Sequence, residues 1–230
     1  MESQNSVIAY HFVGKMLWDG RPIPANGEWL VHEGVVKMCE TGLHASKCPF
    51  DALQYARGET LCLVECEDII AEDDDKLVCR RRKIIKRIDA AQMLRYFARM
   101  QALSVIHLWD APRIVLDYLN TGDESKRSAA SAATWAAERY APWQEDGAWA
   151  AAWSAAGAAT GAAERYAPWQ EDGAWAAASA AASAAASAAA SAAARYAPRA
   201  AAWDAARDAA WDEARKEFRQ LVNENFEAMP

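Results

Sequence analysis

Short apolar runs separated by turn residues dominate the chain up to about residue 90. The run Ser6–Val13 (SVIAYHFV), rich in β-branched and aromatic residues and bounded by Gly14, predicts a strand. Asp19-Gly20, Pro22 and Pro24 mark a loop. Glu28–His32 and Gly34–Cys39 predict two short strands about Glu33-Gly34, a hairpin signal. Ser46 is placed to cap a short helix with Pro49 in its first turn, running through Ala56 and stopped by Gly58. Leu61–Glu65 predicts a further strand, and Lys76–Arg82 with Lys83–Ile88 one or two more. This is the pattern of a small antiparallel α+β domain over residues 1–90.

The period changes after Asp89. Ala91, Leu94, Phe97, Ala98, Ala102, Val105 and Leu108 recur at helical spacing, and Pro112 ends that segment. Ile114, Val115, Tyr118 and Leu119 form a second helical face before the turn Asn120-Thr121-Gly122-Asp123, and a third helix starts near Ala129. A repeat follows: AAERYAPWQEDGAWAAA stands at Ala136–Ala152 and again at Ala162–Ala178, with a degenerate copy from Arg195. Alanine drives helix, Tyr-Ala-Pro breaks it, and Glu-Asp then suits the start of the next. Trp149, Trp153 and Trp175 supply the anchors that alanine cannot. Ser179, Ser183, Ser187 and Ser191 lie on one helical stripe, and the last segment closes as an amphipathic helix with Phe218, Leu221, Val222 and Phe226. Residues 91–230 therefore predict an all-α, Ala/Trp-rich helical repeat region.

Composition narrows the function classes. The formal net charge is −7, spread over both halves, which argues against a duplex nucleic-acid binder. The basic cluster Arg80-Arg81-Arg82-Lys83, Lys86 and Arg87 sits close to the acidic run Glu72–Asp75 and reads as a solvated strand pair with neighbouring opposite charges; the alternative is a phosphate or nucleic-acid contact. Five cysteines, an odd number, follow a polar N-terminal stretch without an apolar signal region. This implies a reduced, cytoplasmic protein with buried free thiols. No metal motif, phosphate loop or dinucleotide fingerprint is present. The Ala/Ser stretch Ala174–Ala194 is too weakly apolar to predict a membrane span.

Candidate chemistry centres on Gly-Leu-His-Ala-Ser, where His44 and Ser46 stand at a strand-to-helix junction. The bland alternative is a histidine that braces the turn and a serine that caps the helix. His11 lies in the first strand and Glu65 ends another; His107 on its helix reads as packed. Trp143, Trp169, Trp203 and Trp211 are candidates for a partner-facing surface. The helical region also offers a face for self-association into a homo-oligomer.

The run CETGLHASKCPFDALQYARG (Cys39–Gly58) is followed by Val64-Glu65 and Asp75–Val78, then by the helix of Leu94–Leu103 and Leu-Trp-Asp-Ala-Pro at Leu108–Pro112. Together these resemble an uncharacterised family of phage and bacterial proteins. The strand, junction serine, Tyr-Ala helix end and strand-end glutamate are more distantly similar to the middle of ADP-ribosyltransferases. That likeness implies His11, Ser46 or Tyr55, and Glu65 as NAD-holding positions. The expectation is a phage-type cytoplasmic binding protein, not an enzyme, that antagonises a host process. It would bind a host defence protein, or it would sequester a nucleotide signal through His11, His44, Ser46 and Tyr55. The alternatives are an ADP-ribosyltransferase-like enzyme that takes NAD as cofactor, with His11, Tyr55 and Glu65 catalytic, and a structural, self-associating helical protein.

Overall fold

A computed structural model describes residues 6–17, 20–140, 147–161, 173–194 and 199–228. The fold is α+β, an antiparallel sheet of five strands followed by an array of helices. The chain divides into two compact units, one of Met1–Ala91 with Phe218–Pro230 and one of Gln92–Glu217. The last residues, assigned by sequence to the helical region, thus group with the sheet.

In the sheet unit, β1 (Val7–Val13), β4 (Thr60–Glu72) and β5 (Leu77–Asp89) form the frame, with β2 (Trp29–Val31) and β3 (Leu43–Ala45) both paired to β5. All pairings are antiparallel. β4 and β5 make one long hairpin, and the acidic run supplies its turn, where the Asp73 amide donates to the Lys76 carbonyl at 2.8 Å. Its register slips at Leu63/Val64 and at Ile69/Ala71, close to Asp68 with φ 54°. Such bulges increase strand twist. The sheet curls until Ser46, just past β3, meets β1: the Tyr10 amide donates to the Ser46 carbonyl at 2.8 Å, and the Ser46 amide returns the bond at 3.0 Å. β1, β4, β5 and β3 therefore close on themselves through this bridge. Ala9, Val13, Leu43, Ala45, Val64, Leu77 and Ile84 pack together there with three thiols, Cys62, Cys66 and Cys79.

Three local expectations are corrected. Gly34–Cys39 is not a strand. Val35 is 81 % exposed, Cys39 turns left-handed, and the segment folds back in a Lys37–Thr41 bridge, so β2 pairs with the distant β5 instead. Ser46 does not cap the first helix: its backbone is committed to Tyr10, and Cys48 stands at the cap of α1 (Pro49–Leu53) without a side-chain bond. Gly58 does not stop that helix, which ends at Leu53. A Cβ at Gly58 would meet the Gly14 Cα at 2.4 Å and the Val13 carbonyl oxygen at 2.6 Å, so glycine there permits close passage beside the end of β1. α1 lies on β1, and its Phe50 packs edge-on to Phe218 with ring centroids 6.0 Å apart. Both rings are buried.

The helical unit contains α2 (Ala91–Val105), a 3-10 turn (Ile106–Leu108), α3 (Arg113–Thr121), α4 (Glu124–Tyr140), α5 (Gly147–Thr160), α6 (Ala174–Ala194) and most of α7 (Arg199–Glu227). α3 ends on Gly122 at φ 66°, whose amide donates to the Tyr118 carbonyl, as the Asn-Thr-Gly-Asp turn requires. Ala98, Ala102, Val105, Trp109, Val115, Tyr118 and Leu119 join the alanines of α5 and α6 in one core. The tryptophans anchor it: Trp149 packs edge-on to Trp109 at 6.5 Å, and Trp153 Nε1 donates to the Thr134 carbonyl at 2.9 Å. Small residues on α5 and α6 permit this close pairing. α6 has the length and composition of a membrane span, the one such helix among the described residues, and its Ala181, Ala185 and Ala188 are buried in the helical core. His107 is exposed beside the buried Trp109, not packed.

Candidate functional site

Two faces of the curled sheet carry different chemistry. On one, β4 and β5 exchange charges: Lys83 Nζ lies 2.6 Å from Glu65 Oε2, and Arg81 Nη1 lies 2.8 Å from Glu67 Oε2. Trp29 of β2 sits under both cations, each 4.5 Å from its ring. Arg80 pairs with Asp68 at 3.1 Å. The Lys83 hydrogen bond holds the Glu65 carboxyl below its ordinary range. These cations are neutralised in place, by Glu65, Glu67 and Asp68 of β4 and not by the acidic run Glu72–Asp75 that the sequence set beside them.

Arg82 breaks the pattern. It is only 6 % exposed, opposite Cys66 in the β4–β5 register, and no carboxylate pairs with it among the described residues. One guanidinium nitrogen, Nη1, donates to the His44 carbonyl. Its neighbours are thiols and imidazoles. Burial pushes the Cys62 thiol up to about 11, and a hydrogen bond with Cys79 pushes Cys66 up further. The same bond draws the Cys79 thiol down, while its Sγ donates to the Leu43 carbonyl at 3.3 Å. Burial draws even the Arg82 guanidinium below its ordinary value. A charge removed from water without a counter-charge is costly.

Of the residues singled out in sequence, His11 and His44 come to this arginine. His11 pairs opposite Cys62 in the β1–β4 register, half-buried, and its ring makes no hydrogen bond among the described residues. Burial, then Arg82, then His44 hold its pKa well below the ordinary 6.5. His44 is lowered by burial and by Arg82, and its Nε2 accepts the Cys39 amide at 3.1 Å. It braces the 39–44 turn. Ser46 is buried at the β1 bridge.

The ADP-ribosyltransferase-type set is not brought together. His11 pairs with Cys62 and Ile8 with Glu65, three positions apart in an unbroken register, so His11 and Glu65 project to opposite faces of the sheet. Tyr55 is 45 % exposed beyond α1, its hydroxyl bonded to Asp75 and to Lys76 Nζ. Trp203 and Trp211 of α7 are half-buried, with the Arg207 guanidinium 5.0 Å from the Trp203 ring centre. Trp143 and Trp169 lie outside the described residues. No group of three or more metal-ligating side chains occurs among the described residues.

Sequence reading placed Arg82 within the basic cluster but did not single it out from its neighbours as a site residue. The available signal was a run of three arginines and a lysine between Val78-Cys79 and Ile84-Ile85. In a strand with one buried face, a two-residue alternation cannot leave all of them in water.

The depressed histidines fix a pH dependence. Their folded-state pKa lies below the unfolded value of 6.5. The unfolded chain therefore binds more protons in that window, and stability rises with pH up to about 6.5 and falls below it. The differential proton binding sets the sign of this slope. Urea midpoints taken from pH 7.5 to pH 5 will show the fall, and His11→Asn will reduce it.

No curated protein and no solved structure matches the chain. The sheet, its buried arginine and both histidines lie within residues 7–96, and these residues carry a domain of an uncharacterised family described as Domain of unknown function (DUF7666).

Proposed function

We propose that the sheet unit binds a small phosphate-bearing ligand of the nucleotide class and holds it without turnover. The resemblance to phage proteins gives the setting: withdrawal of a nucleotide signal from a host defence process. The observation that carries the reading is Arg82, a guanidinium 6 % exposed with no carboxylate partner among the described residues. Guanidinium groups present paired donors that match phosphate oxygens, and a partly desolvated site strengthens that attraction. The separation of His11, Tyr55 and Glu65 favours binding over ADP-ribosyl transfer.

A thermal-shift screen against NAD, ADP-ribose, AMP and cyclic nucleotides tests this. A ligand at a hundred times its dissociation constant adds about 2.7 kcal/mol, several degrees for a domain of this size. At least one member is expected to raise the transition of the wild type and to leave Arg82→Met unmoved, and to be recovered chemically intact. No shift from any member overturns the reading; consumption of NAD returns it to the enzyme class.

A further inference from the structure

Resting on the anion-binding reading above, we propose that the site selects a terminal phosphate monoester over a phosphodiester, with His11 taking up a proton as the monoester binds. Arg82 brings one fixed positive charge into the interior. A phosphodiester carries one negative charge and is matched by Arg82 alone. A monoester carries close to two at pH 7.5, since its second pKa is about 6. A second positive charge is then needed, and the geometry leaves one group to provide it.

That group is His11. His11 stands opposite Cys62 of β4, whose thiol burial keeps protonated, and the Tyr10–Ser46 bridge next to it brings up β3, where the His44 carbonyl holds Arg82 of β5. All are cationic or neutral, and no carboxylate among the described residues bears on the ring. Empty, the site repels a proton from His11; a second phosphate charge reverses the sign of that field. His44 is not the acceptor. Its Nε2 already receives the Cys39 amide, so a proton there would displace that bond. His11 makes no such bond among the described residues, and a protonated ring would donate a charge-assisted hydrogen bond to phosphate oxygen.

AMP and 3′,5′-cyclic AMP share base and sugar and differ in the second ester bond. Imidazole nitrogen NMR of the full chain at pH 7.5 reads the charge of each histidine directly, and calorimetry reads affinity. The expected result is an imidazolium signature at His11 with AMP and a neutral ring with cyclic AMP. AMP should bind about tenfold to a hundredfold more tightly, the range of one charge-assisted bond. His11→Gln should remove that preference while cyclic AMP binding persists. Equal binding of both nucleotides with His11 neutral overturns monoester selection and leaves the anion site standing. A preference that survives His11→Gln overturns the role of His11. Failure of both nucleotides to bind, with the Arg82→Met protein equally silent, overturns the anion site and this inference together.

Discussion

Deleting Phe218–Pro230 should leave the sheet unit unable to hold its native fold, although the deletion begins far from every strand in sequence. These residues group with the sheet unit, and Phe218 is fully buried with its ring edge-on to Phe50 of α1. Phe218→Ala alone removes a buried aromatic and leaves a cavity against Phe50, a loss of about 3–5 kcal/mol. That is a large part of the 5–15 kcal/mol typical of a whole domain. Val222, also fully buried, goes with the same deletion. Residues 1–91 expressed alone should therefore show the flat amide dispersion of an unpacked chain. Adding back the helix that carries Phe218 and Val222 should restore native dispersion. A cooperative unfolding transition from residues 1–91 alone would show that α1 needs no cover.

Arg82→Met should stabilise the empty protein by about 1–4 kcal/mol while abolishing its response to anionic ligands. The two effects have one cause. The guanidinium is buried with no carboxylate among the described residues, so folding carries its desolvation cost against the bond to the His44 carbonyl. Methionine fills similar space and adapts to irregular surroundings at no such cost. Sites kept for binding are often the places where a fold gives up stability. Urea unfolding at pH 7.5, where both depressed histidines are neutral, isolates this effect from theirs. A loss of 2 kcal/mol or more in Arg82→Met would mark the arginine as a structural brace for the His44 carbonyl. His11 then loses the cation that makes its own titration informative.

The family match ends at residue 96, within α2, so the proposed chemistry belongs to the part of the chain that carries the domain. The repeat region follows a different logic. Its core is alanine with tryptophan anchors, and near-identical units fill it with few large side chains.

Much of the local structure was legible in the chain. The two-residue and 3.6-residue periods separate a sheet from helices near residue 90, the glycine after Asn120-Thr121 ends a helix, and Trp149 and Trp153 are the anchors that an alanine helix needs. Each of these depends on neighbours within a few residues. The tertiary structure alone decided three things. Trp29–Val31 and Leu43–Ala45 both pair with β5 and not with each other's flanking segment, because a strand's partner is chosen by register over tens of residues. The C-terminal end of α7 joins the sheet unit, where Phe218 is buried edge-on to Phe50, a pairing of residues far apart in sequence. One arginine of three turns inward, where it bonds the His44 carbonyl. Which residue of a two-period strand faces the core is set by its pairing with Cys66 on β4, and composition carries no trace of that choice.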